Sequence, residues 1–140
     1  MDHLFAVGSL SDAGATILTV KGNTAAINRS LNKGQKVKME FVKNKRVFKS
    51  KSQTLEIIDI GLTPHAEHLL TAYLPKSGIV FEADHFGASA TDPMSLASEN
   101  TKALAAALKK HKLNVKRIAS AHNPYVAGVE KLNEAMAKSK

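Results

Sequence analysis

The chain of 140 residues has no cysteine and no tryptophan, and aromatic residues make up only 5%. Without cysteine there are no disulfides, no thiolate metal sites and no cysteine nucleophile, so any metal falls to His, Asp or Glu. No apolar run approaches the ~20 residues of a membrane-spanning helix, so no membrane partner is expected. The opening Met1-Asp2-His3-Leu4-Phe5-Ala6-Val7-Gly8 carries an acid and no basic segment. An export signal is therefore not visible, and a cytoplasmic location is expected for the chain as written, with export left open for longer relatives. Internal repeats, linkers and low-complexity stretches are also missing. What is present is ordinary globular material, 44% hydrophobic and 23% charged. At this length it predicts one domain over 1–140 with a single core.

The net charge of +8 is concentrated. Between residues 33 and 51 stand Lys33, Lys36, Lys38, Lys43, Lys45, Arg46, Lys49 and Lys51 against one acid, Glu40, which leaves +1 for the rest. Such a stripe can attract nucleic acid or an acidic surface. However, Val37, Met39 and Phe41 alternate with Lys36, Lys38 and Glu40, the pattern of a half-buried strand with its charges outward. Phe48 is the only other aromatic nearby, and no stacking platform accompanies it. The solvated face is the favoured reading, and nucleic acid is not expected as a partner.

Along the chain, Ala15 to Val20 is β-branched and reads as a buried strand. Asn23 can cap a short helix with Ala26, Ile27 and Leu31 on one face. Strands near 36–42 and 46–49, joined by Lys43-Asn44-Lys45, suggest a hairpin. Leu55 to Ile60 is a further strand, ended by Gly61. Leu69 to Leu74 and Ile79 to Ala83 flank Pro75-Lys76-Ser77-Gly78, which predicts a second hairpin. Helical spacing then takes over at Leu96, Ala103, Leu104, Ala107 and Leu108, with Lys109, Lys110 and Lys112 suited to the helix C-terminus. Val115 to Ala119 is a short strand, and Val129, Leu132 and Met136 line a last helix. Strand and helix alternate at both ends of an antiparallel run, which predicts an α/β layered domain.

Candidate chemistry lies at strand ends. His65 follows the 55–60 strand through Gly61-Leu62-Thr63-Pro64, Asp84 ends the 79–83 strand, and His122 follows the 115–119 strand. Asp2-His3 opens the chain. Imidazole nitrogen and carboxylate oxygen suit zinc and similar ions. Each residue taken alone is more often a turn or capping residue than a ligand. His68 and His85 read as exposed loop histidines.

The segment from Asp59 through Gly61, His65, the hairpin and Asp84 resembles the third and fourth metal motifs of the metallo-β-lactamase superfamily. There a His in a Gly-x-x-x-His turn precedes a hairpin whose second strand ends in a metal-bridging Asp. Val115-Lys-Arg-Ile-Ala-Ser-Ala-His122 is similar to the strand leading to the last ligand His, although Asn123 stands where the family usually has Gly. Asp2-His3 falls on the last two positions of the signature His-x-His-x-Asp-His, whose two earlier histidines would lie before residue 1.

The resemblance implies a partial αββα sandwich of mixed and antiparallel strands with flanking helices. It also implies metal ligands at His65, Asp84, His122, Asp2 and His3, with Asp84 bridging or orienting. Zinc is the implied ion, one rather than two, because one half of the two-metal set lacks its His-x-His. The implied activity is metal-dependent hydrolysis of a small ester- or amide-type substrate, weak or absent in this chain alone. The missing strands imply an exposed sheet edge and hence a homodimer or larger homo-oligomer. The alternative is a non-catalytic binding or assembly module that uses the 33–51 stripe on an inherited scaffold.

Overall fold

A computed structural model describes residues 4–139. The chain divides into two compact units, Met1–Lys43 and Asn44–Lys140, which are taken in turn.

In the first unit, helix α1 (Val7–Asp12) leads through Gly14 into strand β1 (Thr16–Thr19). A 3-10 turn at Lys21–Asn23 then feeds helix α2 (Thr24–Ser30), and strand β2 (Lys38–Phe41) closes the unit. The 43–45 turn does not make the expected hairpin. β2 pairs in parallel with β1, Thr16 opposite Lys38 and Thr19 opposite Phe41. A parallel pair needs a crossover, and α2 supplies it. The connecting segment is tied by the Ser11 hydroxyl, which donates to the Lys36 carbonyl at 2.6 Å, and by the Gln35 amide, which donates to Asp12 at 2.7 Å. The alternation expected of β2 is broken, since Phe41 is exposed and Glu40 half-buried. Asn23 stands at the N-cap of α2, but its side chain makes no capping bond.

The second unit is built on a six-stranded sheet of β3 (Lys45–Lys49), β4 (Thr54–Asp59), β5 (Leu70–Leu74), β6 (Ile79–Glu82), β7 (Arg117–Ser120) and β8 (Val126–Gly128), in that spatial order. Every pairing is antiparallel except β6 with β7. Helix α3 (Glu99–Lys110) lies in the parallel crossover between those two strands, and α4 (Val129–Lys138) follows β8. This is a mixed α/β architecture with a large mixed sheet and flanking helices.

Its core is contiguous. Ile58, Tyr73, Val80, Ile118 and Ala127 share one row across the central strands or adjoin it, and they pack with Leu104 and Leu108 of α3 and Leu132 of α4. The apolar period read in the sequence from 103 to 108 is the face that α3 buries. Leu96 lies before the helix and is 68% exposed, because Ser98 is the N-cap and its hydroxyl accepts the Thr101 N–H at 3.1 Å. The β5–β6 hairpin forms as expected around Gly78, whose φ is +64°. A Cβ there would come within 2.8 Å of the Lys116 side chain and 3.0 Å of the Asn114 carbonyl oxygen, so glycine is required by both conformation and space.

Candidate functional site

Topology brings the sequence candidates together. β4 and β6 both run antiparallel to β5 and therefore point the same way, and β7 runs parallel to β6. The segments leaving the C-terminal ends of β4, β6 and β7 thus emerge at the same end of the sheet's strands. They carry His65, Asp84 and His122 respectively. Asp84 is the shared centre: His65 Nε2 lies 3.3 Å from its Oδ2, and His122 Nε2 lies 3.0 Å from its Oδ1. The histidine side chains are 40% and 63% exposed, whereas that of Asp84 is 13% exposed, so the carboxylate sits beneath two solvent-facing rings. Asp2 and His3 lie outside the described residues.

Local sequence explains each arm. Gly61, at φ +81°, turns the chain out of β4, and the Asp59 carboxylate accepts the Gly61 N–H at 2.9 Å. The other Asp59 oxygen lies 3.0 Å from His68 Nδ1. His68 is therefore exposed, as expected, but not free. It ties the loop of His65 back to the end of β4.

His85 requires the larger correction. It is 1% exposed, one of the largest fully buried side chains in the protein. The Glu82 carboxylate accepts the His85 backbone N–H at 2.8 Å and the Thr101 hydroxyl donates to the His85 carbonyl at 2.9 Å. Those bonds turn the residue inward, followed by buried Phe86. Its ring meets that of His65 edge to face, with centroids 6.0 Å apart, and neither ring nitrogen has a hydrogen-bond partner among the described residues. Burial lowers its pKa, and the neighbouring His65 lowers it further, against an upward pull from Asp84.

Asn123 does not use a left-handed backbone in place of the family's glycine. Its side-chain oxygen accepts the Ala88 N–H at 3.3 Å and so links the His122 loop to the segment after Asp84.

Glu82 and Ser120 are not among the sequence candidates, yet both are buried, at the ends of the strands that lead to Asp84 and His122. They face each other in the β6–β7 register. Burial raises the pKa of Glu82, opposed by the Ser120 side chain and the His85 and Phe86 amides.

The donors suit a divalent ion in type and spacing. Two ligands held at about 2.0–2.1 Å from one ion stand about 2.9–3.4 Å apart at angles of about 90–110°, and both Nε2–oxygen separations fall in that range. Asp84 turns a different oxygen to each histidine. The number falls short, because no group of three or more His, Asp or Glu set to hold an ion occurs among the described residues. A groove of about 430 Å³ bounded by Gly87, Asp92, Met94, Ser98 and Thr101 lies along the following segment and includes none of the three donors.

With this geometry in view, the similarity to solved structures is informative. A metallo-β-lactamase from Pontibacter korlensis matches 93% of this chain at 14% identity with a TM-score of 0.63. A metallo-β-lactamase superfamily protein from the archaeon Sulfolobus tokodaii matches 95% at 16% identity, TM-score 0.62. The flavodiiron protein of Giardia intestinalis matches 94% at 22% identity, TM-score 0.61. The fold is therefore that of the metallo-β-lactamase superfamily, present in part. The chain spans 60%, 61% and 38% of the length of those three proteins, respectively. No family model and no curated protein matches the sequence. No helix among the described residues is long and apolar enough to cross a membrane.

Proposed function

We propose that this chain is a hydrolase-like metal-binding protein of the metallo-β-lactamase superfamily whose centre is only partly assembled. Asp84, flanked by His65 and His122, carries this reading: a carboxylate offering one oxygen to each of two imidazoles at ligand spacing. Asp2 and His3 are the remaining donors of the proposal, and one ion is favoured over two. Zinc suits the imidazole–carboxylate set. The likeness to flavodiiron proteins makes iron the alternative.

A bound divalent ion supplies Lewis acidity and a water of lowered pKa for attack on an ester- or amide-type substrate. The protein's own contribution is to fix the carboxylate. Asp84 is largely buried and rooted in a strand end, while His65 and His122 reach it from separate segments and stay open to solvent. With two described donors on each side, where catalytic zinc takes three protein ligands, weak or absent turnover by this chain alone is expected. Self-association through an open sheet edge belongs to the same proposal.

The test is metal analysis and zinc titration of the purified chain, beside His65→Ala and His122→Ala. Binding of one zinc or iron per chain, weakened in both variants, supports the reading. A parent chain that retains neither ion overturns it.

A further inference from the structure

We infer that Glu82 is a positioning residue for the Asp84–His122 pair: its buried carboxylate closes the turn that carries Asp84, and its backbone carbonyl ties that turn to the segment that carries His122. The inference rests on the reading of Asp84 and its histidines as a donor set.

Glu82 is the last residue of β6 and is 1% exposed. A carboxylate buried to this degree costs several kcal/mol unless its oxygens are satisfied, so a strand end that needed only packing would carry an apolar side chain. Glu82 instead turns its Oε2 to the backbone of the turn that follows it, while its Oε1 has no hydrogen-bond partner among the described residues. Its Oε2 accepts the His85 N–H at 2.8 Å, closing the turn Glu82-Ala83-Asp84-His85 and setting the direction in which Asp84 leaves the sheet. Ser120 is the last residue of β7 and the register partner of Glu82. The Glu82 carbonyl accepts the Ala121 N–H at 2.9 Å, one residue before His122. One side chain and its own backbone therefore connect to both arms that meet at 3.0 Å between Asp84 and His122.

The Thr101 hydroxyl, donating to the His85 carbonyl from α3, holds the turn from its far side. With Glu82 on one side and Thr101 on the other, the backbone between Asp84 and Phe86 has little freedom. A donor set with two ligands on each side depends on such preorganisation more than a complete one does.

The experiment uses the whole chain and two readouts. The first is the ¹⁵N resonances of the His122 ring in the zinc-free protein, which report its hydrogen bonding to Asp84. The second is zinc affinity by competition with a chromophoric chelator. Glu82→Leu is expected to shift the His122 Nε2 resonance towards that of a solvated imidazole and to weaken zinc binding about 10–100-fold, the usual effect of losing a partner that orients a ligand. Glu82→Gln, which keeps an acceptor oxygen, is expected to restore most of both. Ser120→Ala, a milder change, is expected to shift His122 in the same direction with the melting temperature nearly unchanged. A folded Glu82→Leu with parental His122 resonances and zinc affinity overturns the inference. If Glu82→Leu does not fold, a Ser120→Ala protein with parental His122 resonances overturns it instead. If the parent binds no zinc, the donor reading fails, while the ring resonances still decide the role of Glu82.

Discussion

His122 Nε2 lies 3.0 Å from Oδ1 of Asp84, although 38 residues separate them in the chain. The contact follows from the one parallel pairing in the large sheet. Because β6 and β7 run the same way, Asp84 and His122, each the second residue past its strand, leave from the same end of the sheet's strands. Replacing the carboxylate removes the group that faces both histidines. Asp84→Asn is expected to weaken zinc binding at least about 100-fold, since even the loss of an outer partner of a ligand costs about 10–100-fold. Competition titration checks this, and an affinity within a factor of three of the parent would show that Asp84 is not a donor.

His85 gives the fold a distinctive acid response. Its folded pKa is lowered from 6.5 by burial, so as pH falls through 6.5 the unfolded chain takes up a proton that the folded chain refuses. The stability contributed by neutral His85 is full above 6.5 and is lost below it. Glu82 acts in the opposite sense. Its folded pKa is raised above 4.5, so its contribution is full below 4.5 and lost as pH rises through the folded value. His85→Phe should therefore remove a positive slope of stability against pH that sets in below 6.5, of at most ~1.4 kcal/mol per pH unit. Urea unfolding at stepped pH measures it. Identical slopes in parent and variant would contradict the account.

The meeting of His65, Asp84 and His122 was legible in the sequence because each stands just beyond an apolar strand pattern and matches a family motif. Their supports were harder to read. In Ile79-Val-Phe-Glu82 the acid looks like the solvent end of an apolar run, but a period of two places Glu82 on the side of buried Val80, and that signal was available. His85 looked exposed because a histidine in a Gly-containing loop usually is. Its inward turn depends on Glu82 and Thr101, the latter 16 residues away. The pairing of β2 with β1 was hidden by a turn sequence that also suits a hairpin, since strand pairing is decided by partners remote in the chain. β8 is three residues long and follows Pro124, too short for periodicity to reveal.

The sheet holds its helices through a small number of fully buried side chains. Leu104 of α3 has no exposure and sits in the cluster with Ile58, Val80 and Ile118. Leu104→Ala is expected to cost about 2–5 kcal/mol, the range for a leucine truncated in a packed core. Chemical denaturation checks it, and a change below about 1 kcal/mol would show that α3 is not anchored there.

Self-association has a charge signature. The edge strand β3 presents Lys45, Arg46 and Lys49. Lys45 pairs with Glu56 at 3.2 Å, and the Arg46 guanidinium lies 5.2 Å from the Phe48 ring centroid. Cations on an edge oppose its pairing with a copy of itself, and salt screens that repulsion. If β3 is the joining edge, sedimentation should show a dimer that strengthens between low and moderate salt. A 15 kDa monomer throughout would remove the assembly from the account.

The central claim is that Asp84, His65 and His122 are metal donors, and zinc-edge X-ray absorption of the zinc-loaded chain tests it most directly. The account predicts a nitrogen/oxygen shell at about 2.0–2.1 Å, with the outer-shell scattering of imidazole, which diminishes in His65→Ala and His122→Ala. An oxygen-only shell without imidazole scattering, or a spectrum unchanged in both variants, would contradict it.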